Sequence, residues 1–549
     1  MNTLAIEQQL DSLFDRLGSH EQPTLVLTPN RRLSRYLRSQ FNLFKQRDNQ
    51  GAWPSLPCVS YQGWLQQQWQ SWVLLGNPQG DHMPLDSVQE LICWQQVIAE
   101  HPDTPELLNV PATARLAMQA YQLVEEFKLP LAEHDSLNTQ MFQQWCLGFQ
   151  EFCQRQQLIS QADQGRLLAQ GKLHSGNQKE FSADTHLILF GFDELTPLQR
   201  SLVERNSYEF FDLNIPGDVT RYEFADIGQE ILSAAQWAQN TLRQNPQSRI
   251  GIVVPQLAQQ RDRLERMFTQ VFEPQYILPQ QPQHANGFNL SAGQPLDQVP
   301  VVATAMTALA LNRQRLDVDA ISRLLCSPFI GSVDEIGERA LLDLTLKDHE
   351  FELSLLRLVH EAGKLNDEFD RCPDFFQRLK SFQQSVTGSW QLPSQWAQLF
   401  NQQLKLLGWP GNRPLDTLEY QQVQVWRETL HKFAALDHLL DEIDLADALN
   451  HLRTTVAKVS FQAQTKTSPV QILGVLEAAG MPFDYLWVMN LDDENWPPTA
   501  NPNPLLPIDL QIAHQLPQSS AERELAYAQR LTKRFQISAH EVVFSHARL

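Results

Sequence analysis

The chain has 549 residues, 42% apolar and 9% aromatic, enough to fill the cores of about three or four domains, which excludes extensive disorder and low-complexity fibre. Its 43 Lys and Arg stand against 63 Asp and Glu, a formal charge of −20 that excludes a generally basic coat for nucleic acid but not a local basic groove. Six cysteines without CxxC spacing, Cys146 and Cys153 being closest, make no disulfide framework and predict free thiols in a reducing compartment.

The N-terminal segment carries Leu4, Leu10, Leu13, Phe14 and Leu17 at helical spacing, without the basic-then-apolar order of a signal peptide. A short apolar run at Thr24–Thr28 (TLVLT) predicts a buried strand. Similar runs follow at His186–Phe190 (HLILF), 208–213, 250–254, 470–475, 485–490 and 541–545. Apolar on both faces and separated by helical stretches, they predict parallel sheets covered by helices. Helical spacing occupies residues 62–180 and 300–460, and the Pro- and Gln-rich stretch 273–300 reads as a surface connection. The longest uncharged apolar stretch, 299–311, is too short to span a bilayer, so a cytoplasmic protein without membrane contact is expected.

Absences narrow the chemistry. There is no phosphate loop: Gly171 and Lys172 are followed by Leu173, and Gly363 and Lys364 by Leu365, so neither pair supplies the Mg²⁺-binding hydroxyl. G-x-S-x-G, HExxH and EF-hand patterns are absent too, and no metal or cofactor is expected. Glu126 and Lys128 form a lone Glu-x-Lys in an apparent helix with no upstream strand aspartate, a weak match to nuclease chemistry. Asp193 and Glu194 follow the strand at 186–190, where open α/β sheets hold ligands and nucleotide hydrolases hold Mg²⁺. The same two acids also suit the start of a helix capped by Thr196 before Pro197.

Between 31 and 47 the chain has Arg31, Arg32, Arg35, Arg38, Lys45 and Arg47 and no acid. On a helix, Arg31, Arg35, Arg38 and Lys45 share one face while Leu33, Leu37, Phe41 and Phe44 lie near the other. Phosphate binding and a solvated amphipathic helix both fit this pattern. Trp64, Trp69, Trp72 and Trp94 could stack on bases, although tryptophans at helical spacing more often fill a core.

Residues 191–199 (GFDELTPLQ) resemble the Walker-B region of the AddB family, the B subunits of ATP-dependent helicase–nucleases. Residues 25–41 resemble the strand and helix of motif Ia in superfamily-1 helicases, and 291–296 and 407–437 are similar to pieces of bacterial proteins labelled probable DNA repair proteins. Residues 474–484 resemble helicase motif V and keep Gly480, Phe483 and Asp484. Leu476 stands there for a histidine, Ala479 for a lysine and Pro482 for the ribose-contacting glutamate. Residues 522–527 resemble motif VI, with Arg523 and Tyr527 in its helix, but Leu531 and Thr532 occupy the expected Thr–Arg position. Arg261 and Arg263 resemble the motif IV arginine with the register off by one.

The resemblance implies an α/β fold of two RecA-like parallel-sheet cores with large helical insertions, the superfamily-1 helicase architecture. The first core is expected at 1–75 and 181–215 with an insertion at 76–180, and the second at 216–299 and 461–549 with an insertion at 300–460. It further implies that this chain is not itself an enzyme but an inactivated helicase-like module of a DNA-repair helicase–nuclease. Its partners would be single-stranded or duplex-end DNA, contacted through Arg31, Arg32, Arg35 and Arg38, and a UvrD- or AddA-like helicase subunit. A PD-(D/E)xK nuclease follows the corresponding strand in the relatives and would lie beyond Leu549. An ATPase with a degenerate site and a protein-interaction scaffold without DNA contact remain as alternatives.

Overall fold

The computed structural model describes residues 3–19, 23–47, 52–76, 80–102, 109–131, 136–171, 185–277, 287–313, 315–347, 352–369, 371–463 and 468–548. They fall into two compact units, Met1–Ala292 with Thr465–Leu549, and Gly293–Gln464.

The first unit contains two parallel sheets. The N-terminal sheet has four strands in the order Cys58–Ser60, Thr24–Thr28, His186–Phe190, Tyr208–Phe211. The C-terminal sheet has six, in the order Asp218–Phe224, Glu541–Ala547, Tyr485–Val488, Ile250–Val253, Val470–Leu473, Phe288–Leu290. Strand His186–Phe190 is buried from its second residue onward, and Ile250–Val253 throughout. Both are covered on two faces by helices, which is why their sequences are continuous apolar runs. The fold is thus mixed α/β with two parallel-sheet cores and helical insertions, as expected of a RecA-like pair.

Three strands depart from the sequence reading. Cys58–Ser60 and Phe288–Leu290 are only three residues each, and Asp218–Phe224 is a largely exposed edge without an apolar run. Part of the expected 273–300 surface connection is therefore a sheet strand, at Phe288–Leu290; residues 278–286 of it lie outside the described residues.

Between the first two strands and the third, helices Tyr61–Leu74, Ser87–Glu100, Val110–Phe127, Leu137–Arg155 and Gln161–Gln170 build the first helical region. Asp86 starts one of them with a capping box, accepting from Val88 and Gln89 N–H while Gln89 Oε1 accepts from Asp86 N–H. Trp64, Trp69 and Trp72 pack beneath Leu187 and Leu189 of the N-terminal sheet. Trp94 is fully buried and stacks on Phe149 at 4.3 Å between ring centroids. All four are core residues, and burial of rings this large supplies much of the region's apolar stabilisation.

The two sheets share one apolar cluster. Val26, Ile188 and Phe190 from the N-terminal sheet join Val253, Leu473, Leu486, Val542 and Phe544 from the C-terminal sheet, with Phe483, Leu531 and Phe535 between.

The second unit is mainly helical. Its helices include Pro300–Ala310, Pro393–Leu406, Thr417–Ala434 and Leu445–Lys458, packed around the fully buried Trp396, Phe400 and Phe433. Gly363 and Lys364 lie inside helix Leu355–Phe369, so they form no loop. Gly171 caps helix Gln161–Gln170 in the left-handed region (φ 53°), while Lys172 and Leu173 lie outside the described residues. Among the described residues, no helix is long and apolar enough to cross a membrane.

Candidate functional site

The chain leaves strand His186–Phe190 through Gly191, whose φ of 84° lets the backbone turn without a Cβ. Asp193 and Glu194 follow. Thr196 then caps helix Pro197–Val203, accepting from Gln199 N–H, with Pro197 at the first helical position. The acids sit where a nucleotide site would be sought, immediately outside the carboxyl end of a parallel strand.

Facing them is helix Ala521–Gln536 of the C-terminal sheet. Arg523, Tyr527, Arg530 and Arg534 recur along it at i, i+4, i+7 and i+11, one face of an α-helix. Arg523 donates to Glu194 Oε1 at 2.9 Å, and Arg530 donates to Glu194 Oε2 at 2.9 Å. Arg534 donates to Asp193 and, at 3.0 Å, to Asp212 Oδ1 at the end of the neighbouring strand Tyr208–Phe211. Arg523 is further held by Glu524 at 3.0 Å and lies over the Tyr527 ring at 5.1 Å. Burial, and then the Asp193 carboxylate, push the Tyr527 hydroxyl up to about 12. Burial also raises Asp212, outweighing the lowering by Arg534.

Beside this clasp the two sheets meet backbone to backbone. Gly480 has φ 76°, and a Cβ placed on it would fall 2.8 Å from Gly191 Cα. The cavity left here, lined by Gly191, Asp212, Gly480, Pro482, Arg534 and Ser538, is about 20 Å³. That is room for about one water, whereas small-molecule sites occupy about 300–1,000 Å³.

Most of the remaining motif-like residues make contacts within the fold. Phe483 is buried in the shared cluster. Asp484 Oδ2 accepts from Arg249 N–H at 2.8 Å, and the Arg249 guanidinium lies 4.0 Å from the Tyr36 ring centroid. Leu476 is exposed. Thr532 accepts from Trp496 Nε1 at 3.1 Å and donates to Ala528 O at 2.8 Å, so it knits its own helix to a loop. Arg261 donates to Ala292 O and to Asp262 and Glu265, and Arg263 lies against Gly228. Glu126 lies in the last turn of helix Val110–Phe127 and Lys128 caps it at φ 53°, an ordinary helix terminus.

The cleft is not short of positive charge, although Thr532 stands where the motif's arginine was expected. Arg530, Arg534 and Asp212 belong to none of the motif-like segments. The regular spacing from Arg523 to Arg534 was the available signal. Phosphoryl transfer needs acids free to hold a metal and a cation free to meet developing charge. Here the acids and cations neutralise one another. Among the described residues, no three His, Cys, Asp or Glu side chains are grouped to hold a metal ion.

Helix Arg31–Arg47 follows strand Thr24–Thr28 through Asn30, whose Oδ1 accepts from Leu33 N–H at 2.9 Å. Its buried side is Leu33, Leu37 and Phe41, as the spacing predicts. Its basic side divides. Arg38 donates to the Cys58 carbonyl and so fastens the adjacent strand. Arg32 donates to Gln471 Oε1 at 3.1 Å, and burial lowers its pKa. Lys45 lies over Phe41 and Phe44, and Arg47 pairs with Glu7 and Asp11 at 3.1 Å. Arg31 and Arg35 are exposed in the first turns, and no ion pair engages them among the described residues. All six cysteines are unpaired, four of them buried. No protein-family model matches the chain, and no curated protein matches it significantly.

Proposed function

We propose that the chain is an inactivated helicase-like module of a DNA-repair helicase–nuclease, a scaffold that engages DNA while a partner chain of the UvrD or AddA kind supplies ATP-driven movement. The observation that carries this reading is the arginine clasp: Arg523, Arg530 and Arg534 occupy Glu194, Asp193 and Asp212 where a nucleotide and its Mg²⁺ would be held. A body with two parallel-sheet cores, and room for only about one water beside the clasp, suits positioning better than catalysis. Exposed Arg31 and Arg35, beside the carboxyl end of a strand, are the groups on this body best placed to meet phosphates. Isothermal titration with ATP·Mg²⁺, followed by titration with single-stranded DNA, tests both halves. The expected result is no heat with ATP and salt-dependent binding of DNA. Micromolar ATP binding, or turnover abolished by Glu194→Gln, overturns the inactive reading.

A second reading, a protein-interaction scaffold without DNA contact, is favoured by the formal charge of −20 and by the structural partners of Arg32 and Arg38. No DNA binding at low salt would select it.

A further inference from the structure

Strand Asp218–Phe224 is one edge of the six-stranded sheet and pairs with Glu541–Ala547 along its whole length without a bulge. Six of its seven residues are exposed, Tyr222 at 50%. Asp218 N–H donates to His540 O, and Arg548 N–H donates to Phe224 O, so the even-numbered residues face the ladder. By the alternation of a parallel strand, the N–H and C=O groups of Val219, Arg221 and Glu223 then point outward. Among the described residues nothing hydrogen-bonds to that outer edge. Edges of this length are normally blunted by charged side chains, proline, a bulge or a covering segment, because they template pairing with another chain. This one has no proline and no bulge, and its charges, Asp218, Arg221 and Glu223, are of mixed sign.

We infer that this edge pairs, antiparallel and about a two-fold axis through Tyr222, with the same edge of a second copy of the chain. Charge selects the register. Outward-facing residues must lie opposite one another to exchange main-chain hydrogen bonds. Centring on Arg221 would set two arginines face to face, which is unfavourable. Centring on Tyr222 sets Arg221 opposite the other copy's Glu223, and Glu223 opposite its Arg221. Both are hydrogen-bonded pairs of opposite charge, and the pairing is self-complementary as an isologous contact requires. The two Tyr222 side chains then form the closer, non-hydrogen-bonded pair, beside Trp487 at 6.1 Å between ring centroids. The charged groups near this pair include Arg548, which already donates to Glu223 at 2.6 Å, and His546, while the same register brings Asp218 towards the second copy's Asp226, which lies two residues past the strand end. A second cation on an exposed carboxylate is accommodated. Strand addition of this extent gives a weak dimer, since little side-chain surface is covered.

Sedimentation equilibrium of the 549-residue chain tests this, with thermal melting to check folding. The expected result is a reversible dimer, with Arg221→Glu and Glu223→Arg each weakening it about tenfold or more. The double variant Arg221→Glu/Glu223→Arg should return to within about threefold of the parent, since the swapped charges face one another again. Arg221→Pro, whose N–H lies on the outer edge, should abolish dimerisation with the melting temperature kept. A parent that is monomeric at about 100 μM overturns the inference. So does a dimer indifferent to the single charge changes, or one that the double swap fails to restore.

Discussion

Arg523 and Glu194 are 329 residues apart in sequence and 2.9 Å apart in space. Their pairing joins a helix of the C-terminal sheet to the loop that follows the third strand of the N-terminal sheet, and Arg534 repeats the link to Asp193 and Asp212.

Arg534→Met should therefore destabilise the first unit by about 1–3 kcal/mol, because it leaves two carboxylates without their cation. The lower part of that range is expected, since the Asp212 side chain is 57% exposed and screened by water. Urea denaturation of Arg534→Met, Asp193→Asn and the double variant measures the coupling, which should be positive between the two sites. Arg530→Met, whose partner Glu194 is 49% exposed, should cost less than Arg534→Met.

Gly480→Ala should cost about 2 kcal/mol or more. Its positive φ disfavours any Cβ, and that Cβ would press on the Gly191 backbone, which has no side chain to move aside. Gly388→Ala, with open space around it, is the control and should leave the melting temperature unchanged.

Glu90 gives the first helical region a pH dependence. Burial in helix Ser87–Glu100, and then the Asp163 carboxylate, push its carboxyl up to about 7. The folded state thus holds a proton that the unfolded state releases near the ordinary carboxyl value of 4.5. The associated stability is fully present below that lower value and is lost as pH rises through about 7. Glu90→Gln, which keeps the neutral shape, should gain about 2–3 kcal/mol at alkaline pH and little in mild acid. Melting curves across that range check the sign.

On the basic helix the arginines should separate by mechanism. Arg31→Gln with Arg35→Gln should weaken single-stranded DNA binding across all sequences and reduce the slope of log K against log salt by about 1.4, about 0.7 per phosphate. Arg38→Gln should instead cost about 1 kcal/mol of stability by releasing the Cys58 carbonyl, leaving the slope unchanged. Fluorescence anisotropy over a salt series and thermal melting distinguish the two effects.

These separations mark where sequence reading stops. Strands such as His186–Phe190 and Ile250–Val253 were legible because burial on both faces writes a continuous apolar run. Asp218–Phe224 was not, because an exposed edge strand keeps polar residues such as Asp218, Thr220 and Glu223. Asp193 and Glu194 stood out by their place after a strand, and the face from Arg523 to Arg534 was present in the helical spacing. That the two would meet is a tertiary fact with no local signature. Arg38 looked like part of a phosphate-binding face because its acceptor, the Cys58 carbonyl, belongs to a strand of three residues that no periodicity announces.

The apolar cluster common to both sheets has a mechanical and thermodynamic consequence. Val26 and Ile188 on one sheet cannot part from Leu486 and Val542 on the other without wetting the residues between them, Phe483 and Leu531 among these. The slowest amide protons of the two sheets should consequently exchange through a single opening with one free energy. A ligand that grips either sheet should then protect both by the same increment.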